Sequence, residues 1–252
     1  MIGSRHCTVR LSVELDISGA VKLTNAIAKQ IPFAMAKALT LTAIQAQTDI
    51  VQAMTQVFDR PTPYTHNSTY VVPATKDRLE AFVRLKDESA TGLPAVKWLH
   101  AEVFGGVRNS KRSEIALRRS LNLPDGSFIV PGAGVPLDQY GNIAAGTMTK
   151  ILSAVRAQPD SYANTTSKSR RRAIAAGRNL DYFVGRSPSG ARRLGVWERD
   201  GRNLHRILIF IDQAPTYRER LKFHAIAQET YSRVYQRLFN EALADAIATA
   251  RL

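Results

Sequence analysis

Apolar and polar residues alternate over residues 7–17, CTVRLSVELDI, with Val9, Leu11, Val13, Leu15 and Ile17 on one face. A period of two predicts a half-buried strand. Ser18-Gly19 breaks that pattern, and Ser18 offers a cap to the next element. From residue 20 to 57 the period lengthens to three and four: Ile27, Ile31, Ala34, Ala38, Leu41, Ile44, Thr48 and Val51 recur on one face of a helix. Pro32 predicts a kink or a fresh start near residues 30–32, and Pro61 and Pro63 forbid continuation beyond Arg60. The stretch 61–68 reads as loop. Two short strands are expected at 69–73 and 79–86; in the second, Leu79, Ala81, Val83 and Leu85 alternate with Glu80, Phe82, Arg84 and Lys86. A short helix carrying Trp98 and Leu99 is expected over 94–104.

Beyond Gly105-Gly106 the pattern becomes shorter and more broken. A helix is expected from Ser113, a turn at Pro124-Asp125-Gly126, a strand at FIVPG and a helix within 142–155. Residues 157–179 mix Ser, Thr and basic side chains without periodicity, which predicts a flexible basic loop. A three-strand meander is expected over 180–186, 195–199 and 204–211, with Asp200-Gly201 as a hairpin signal. The last 37 residues read as a helix. Thr216 and Glu219 are spaced as a capping box, and Phe223, Ile226, Ala227, Tyr231, Val234, Leu238, Ala242 and Ala246 form its apolar stripe. The layout predicts an α+β fold, two long helices packed on a mostly antiparallel β-sheet with extended loops, in one domain spanning 1–252.

Charge changes this picture in one place. Of the net +14, residues 105–206 carry nearly all, with 18 Lys+Arg against 7 Asp+Glu; residues 1–104 carry 11 against 9 and residues 207–252 carry 6 against 5. Arginine dominates there, at Arg118, Arg119, Arg170, Arg171, Arg172, Arg192 and Arg193. A localised basic zone attracts polyanions and releases their counterions on contact. No zinc-finger spacing, basic leucine-zipper region or aromatic RNA-binding strand signature accompanies it, so sequence-specific readout is not expected. The same arginines are also compatible with a solvated loop or with acids on a neighbouring subunit.

Other composition mainly excludes. Hydrophobic residues at 44% and charged residues at 22% rule out wholesale disorder. Cys7 is the single cysteine, so there is no internal disulfide and no cysteine-based zinc cluster. No apolar run reaches the ~18 residues that cross a bilayer, so no membrane partner is expected. The opening MIGSRHCTVRLSVELD lacks an apolar signal core, which predicts synthesis and retention in a cytoplasm-like compartment. The histidines His6, His66, His100, His205 and His224 form no metal-ligand spacing on one helix face. Ser187-Pro188-Ser189-Gly190 lacks a nucleophile-elbow context, and Gly132-Ala133-Gly134 lacks the third glycine of a dinucleotide loop. Asp138, in LDQYGN, fits a tight turn better than a calcium or catalytic carboxylate. No enzyme, no cofactor and no metal is expected.

Four segments together resemble the tail-completion and minor tail proteins of tailed bacteriophages, the virion-morphogenesis class similar to the lambda minor tail protein Z. They are IPFAMAKALTLTAIQAQTDIVQAM, WLHAEVFGGVRNSKRSEIALR, PLDQYGNIAAGTMTKILSAV, and the end from LHRILIFIDQAPTYRER through the terminal helix. The resemblance is spread over most of the chain, rests on structural motifs, carries over no catalytic residue and leaves 157–179 unmatched. It implies a structural virion protein, made in the host cytoplasm, that joins or seals the tail at the neck as a homo-oligomeric ring. Expected partners are further copies of the chain, portal or adaptor proteins, tail-tube proteins and, without base readout, the packaged DNA. Lys111, Arg112, Lys168, Arg170, Arg171 and Arg172 are the candidates for contact with DNA in the lumen, or equally with acidic patches on those proteins. The alternative function is a non-specific nucleic-acid-binding protein involved in DNA packaging.

Overall fold

The computed structural model describes residues 8–12, 25–89, 93–176, 181–186 and 194–249. Outside them lie His6 and Cys7, the expected strand end at 13–17, the Ser18 cap, residues 177–179, the Ser187–Gly190 turn, Arg192 and Arg193. The fold is α+β, with seven α-helices and three sheets among the described residues, the two larger ones antiparallel. The stretch the sequence treats as one domain is organised as two compact units, 1–106 with 217–252, and 107–216 inserted between them. Each unit has its own apolar core.

The first unit is built on the helices α1 (Asn25–Val57) and α7 (Phe223–Thr249), of 33 and 27 residues. The helix α1 continues through Pro32 without being split in two. Beyond its end, Thr62 accepts a hydrogen bond from the Thr65 N–H at 3.2 Å and Pro63 occupies the first turn, so the expected loop contains a one-turn helix, α2 (Pro63–His66). Strands β1 (Thr8–Ser12), β2 (Thr69–Val72) and β3 (Glu80–Leu85) form a sheet of order β1-β3-β2, with Val9 opposite Val83 and Val71 opposite Val83 on the other side. The predicted alternation holds: Ala81, Val83 and Leu85 are buried. Helix α3 (Ala95–Phe104) adds Leu99 and Val103 to the same core as Leu39, Ile50, Met54 and Phe223.

Two expectations for these helices are corrected. Of the expected stripe of α1, Ala34 and Ala38 are buried but Leu41, Ile44 and Thr48 are exposed; the buried side runs instead through Met35, Leu39, Ala43, Ala46, Ile50 and Met54. Both stripes have helical spacing; α7 and the sheet cover the side that carries Leu39, Ile50 and Met54. Secondly, Thr216 does not cap the last helix. The backbone N–H groups of Arg220 and Leu221 both donate to the Glu102 carbonyl at 2.9 Å, which holds the chain in a turn, and α7 starts only at Phe223. The two helices are tied by Asp49, which accepts from the Thr230 hydroxyl at 2.6 Å and Arg233 at 2.5 Å, and by Lys37 with Asp245 at 3.0 Å.

At the chain crossings between units lie two two-residue strands, β4 (Gly106–Val107) and β9 (Thr216–Tyr217). The second unit contains α4 (Arg112–Leu121), β5 (Phe128–Pro131), α5 (Ala145–Ala154), α6 (Ser167–Ala175), β6 (Asp181–Arg186), β7 (Leu194–Asp200) and β8 (Asn203–Ile211). Its sheet runs β5-β8-β7-β6, every pair antiparallel. The β7–β8 hairpin turns at Gly201, which takes the left-handed φ of 58° that a side chain disfavours. Leu117 of α4 and Ile151 of α5 pack with Val196, Leu208 and Phe210 of the sheet. Two helices on a single sheet is therefore coarser than what forms: five further helices and separate sheets share the work.

Candidate functional site

The start of α4 is organised by a buried carboxylate. Glu114 is 1% exposed. It accepts from the Arg108 guanidinium at 2.8 and 2.5 Å, from the Lys111 N–H at 2.6 Å and from the Ile129 N–H at 3.0 Å. Burial pushes this carboxyl up, but the Arg108 hydrogen bond, the two backbone donors and the Arg108 charge together hold it below its ordinary value. One side chain thus fastens the loop after β4, the first turn of α4 and the start of β5. Arg108 also lies over the Phe128 ring, 4.9 Å from its centroid. Lys111 and Arg112 are exposed at this end. Although Lys111 reaches the surface, desolvation of its ammonium and the neighbouring Arg108 charge lower its pKa, against the pull of Glu114.

The other four predicted contact residues sit elsewhere. Residues 157–176 depart from the expected irregular loop. Asp160 caps a single 3-10 turn, Ser161–Ala163, by accepting from the Tyr162 N–H at 2.9 Å. Ser153, at the end of α5, donates its hydroxyl to the Ala163 carbonyl at 2.7 Å, and its own carbonyl accepts from the Thr165 N–H at 3.0 Å. Thr166 then accepts from the Ser169 N–H at 3.1 Å and starts α6. Ser and Thr residues with the composition of a loop act here as caps and tethers. On α6, Lys168, Arg170, Arg171 and Arg172 are all exposed. Successive residues are turned about 100° on a helix, so the three arginines fan around α6.

Further basic groups reach this end of the unit. The Ser120 hydroxyl at the end of α4 donates to the Arg156 carbonyl at 2.9 Å, which brings the last turn of α4, with exposed Arg119, to exposed Arg156. The hydrogen bonds that lead into α6 thus come from the C-terminal ends of α4 and α5, whereas Lys111 and Arg112 start α4, about 15 Å away along a ten-residue helix. Lys168, Arg170, Arg171 and Arg172 therefore share α6, whose entry is tethered to the end of α5 near Arg156, whereas Lys111 and Arg112 stand at the other end of α4. Sequence reasoning missed Arg156 and Tyr162. Neither carries a motif; the hydrogen bonds around Ser153 and Ser120 hold the chain on which they stand.

A second surface lies on the first unit. Leu41 and Ile44 of α1 are 38% and 45% exposed, and Phe33 is exposed on the same side of the helix. Across its 33 residues α1 carries only Lys29, Lys37 and Asp49 as charges. A solvent-facing helix side is ordinarily charged.

No group of three or more His, Cys, Asp or Glu among the described residues could hold a metal ion. Asp138 spends its carboxylate on the N–H groups of Tyr140 and Asn142, each at 2.9 Å, and so closes its own turn. His205 is exposed on β8, and His224 places its ring between Phe104 and Phe223. No described helix is long and apolar enough to cross a membrane. The chain matches no protein-family model, no curated protein and no solved structure.

Proposed function

We propose that this chain is a structural component of a tailed-bacteriophage virion, in the tail or at the head–tail neck, that links or seals head and tail as a homo-oligomeric ring and catalyses no reaction. The observation that carries the reading is the outward side of α1, where Phe33, Leu41 and Ile44 stand in solvent on a helix almost free of charge. A repeated subunit needs such a face, because burial of apolar area between copies supplies the stability of a ring. The finer picture of the fold, two long helices as the main packing layer on antiparallel sheet, belongs to this reading: α1 and α7 form a stiff shoulder that presents that face. Portal, adaptor or tail-tube proteins are the neighbours, and the basic surface of the second unit is suited to DNA passing without base readout.

The double substitution Leu41→Glu with Ile44→Glu tests it. The variant should fold and stay soluble, since both side chains are already exposed, yet fail to form rings and fail to enter particles, as read by electron microscopy of labelled virions. Particles that carry the variant normally would count against the reading. The exposed arginines of α6 favour the second reading, a packaging protein that binds nucleic acid without sequence preference. Steeply salt-dependent DNA binding by a lone subunit that is absent from particles would select it.

A further inference from the structure

Tyr162 is 97% exposed, whereas Val107, Leu137 and Tyr64 lie near half. The ring is not carried on a slack segment. Its own N–H donates to Asp160, the Ala163 N–H donates to the Asp160 carbonyl at 3.1 Å, and the Asn164 side chain accepts from the Gln158 N–H at 3.1 Å. Ser153 holds the far side of the turn through Ala163 and Thr165. A full aromatic face is thus held out in water on a braced turn, a few residues before the cap of α6.

The chain on either side of the turn carries nearly one sign of charge. Between Asp138 and Asp181 the only acid is Asp160, and its carboxylate is occupied by the turn. The tethers hold this turn near Arg156, and exposed Lys168, Arg170, Arg171 and Arg172 follow it within ten residues on α6. We propose that Tyr162 and the basic residues of α6 form a binding site for single-stranded nucleic acid, the ring stacking on an unpaired base and the cations tracking the backbone phosphates. This rests on the reading above only in taking nucleic acid as the ligand; the strand state is the new element. Two features select it. A paired and stacked duplex offers no base face to a protruding ring, whereas an unpaired base does, and such stacking tolerates any sequence. The fan of Arg170, Arg171 and Arg172 cannot meet one flat acidic patch with all three side chains, but a flexible chain of phosphates can bend to reach them.

The test uses the full-length protein and fluorescence anisotropy with labelled oligothymidylate, a duplex of matched length, and polyglutamate as competitor. Oligothymidylate should bind more tightly than the duplex at equal salt. Tyr162→Ala should weaken oligothymidylate binding roughly 5- to 100-fold and leave duplex binding unchanged, while Tyr162→Phe retains it. Replacing Arg170, Arg171 and Arg172 with Ala should weaken both and flatten the log–log salt slope for the single strand by about 2. Equal binding of wild type and Tyr162→Ala to oligothymidylate overturns the proposal, as does polyglutamate competing as well as the oligonucleotide. The ring reading fails separately: a Tyr162-dependent single-strand binder absent from virions keeps this site and loses the ring, and a virion component indifferent to Tyr162→Ala does the reverse.

Discussion

Glu114 shows how much one side chain organises the second unit. Its carboxylate and the Arg108 guanidinium are both largely shielded, with side-chain exposures of 1% and 14%. Removing the acid leaves a buried cation with an unmet backbone donor on either side. Glu114→Ala should therefore cost about 3–5 kcal/mol, measured by chemical denaturation. Because the folded carboxyl titrates below its ordinary value of 4.5, the unfolded chain takes up the proton first as the solution is acidified. The stabilisation is complete above that ordinary value and is lost as pH falls through the depressed folded one. Wild type should lose stability steeply in that acid window, and Glu114→Gln should lose less over the same interval. An equal slope in both would show that the carboxylate is not the titrating group. Glu102 behaves oppositely: burial raises its carboxyl, with Arg220 pulling it back, so it adds no stability on ionising.

Individual elements carry two apolar faces where periodicity alone expects one. On α1, Leu39 is fully buried while Leu41 is 38% exposed. Leu39→Ala should destabilise the protein by about 2–5 kcal/mol, whereas Leu41→Ala in the isolated subunit should stay within about 0.5 kcal/mol of wild type. A large loss from Leu41→Ala in a monomer would mean the stripe has been assigned to the wrong side. The same logic applies to backbone. A Cβ at Gly132 would stand 2.1 Å from the Arg206 carbonyl oxygen, because the Gly132 N–H donates to the Ile207 carbonyl at 2.8 Å and draws the chain against β8. Here glycine is required by closeness of approach, and φ is not the reason.

Across the whole molecule the charge tracks the division into units. Residues 107–216 hold 18 Lys+Arg against 8 Asp+Glu, and the remainder holds 17 against 13. The cores are equally separate, since Leu117, Ile151 and Leu208 belong to one cluster and Leu39, Ile50 and Phe223 to the other. Hydrogen exchange read by mass spectrometry should reflect this. In Glu114→Ala, amide protection should fall throughout 107–216 and persist in α1 and α7. A uniform loss along the chain would mean that the two cores unfold as one.

Periodic elements were legible from sequence because their burial is decided locally. The alternation of Ala81, Val83 and Leu85, the Asp200-Gly201 hairpin and the existence of helices near each end of the chain are each set by a pattern within a few turns of chain. The charge of the middle segment was legible too, since counting needs no coordinates. Other features depend on partners distant in sequence. Which stripe of α1 is buried depends on α7, nearly two hundred residues later, as the Asp49–Thr230 and Lys37–Asp245 contacts show. The order within 157–176 depends on Ser153, which turns Ser and Thr residues of loop-like composition into braces and caps. The exposure of Tyr162 on a braced turn is decided in the same way. A hydrogen bond between segments has no signature in either segment alone, so tertiary structure was needed to show that the turn carrying the ring is braced.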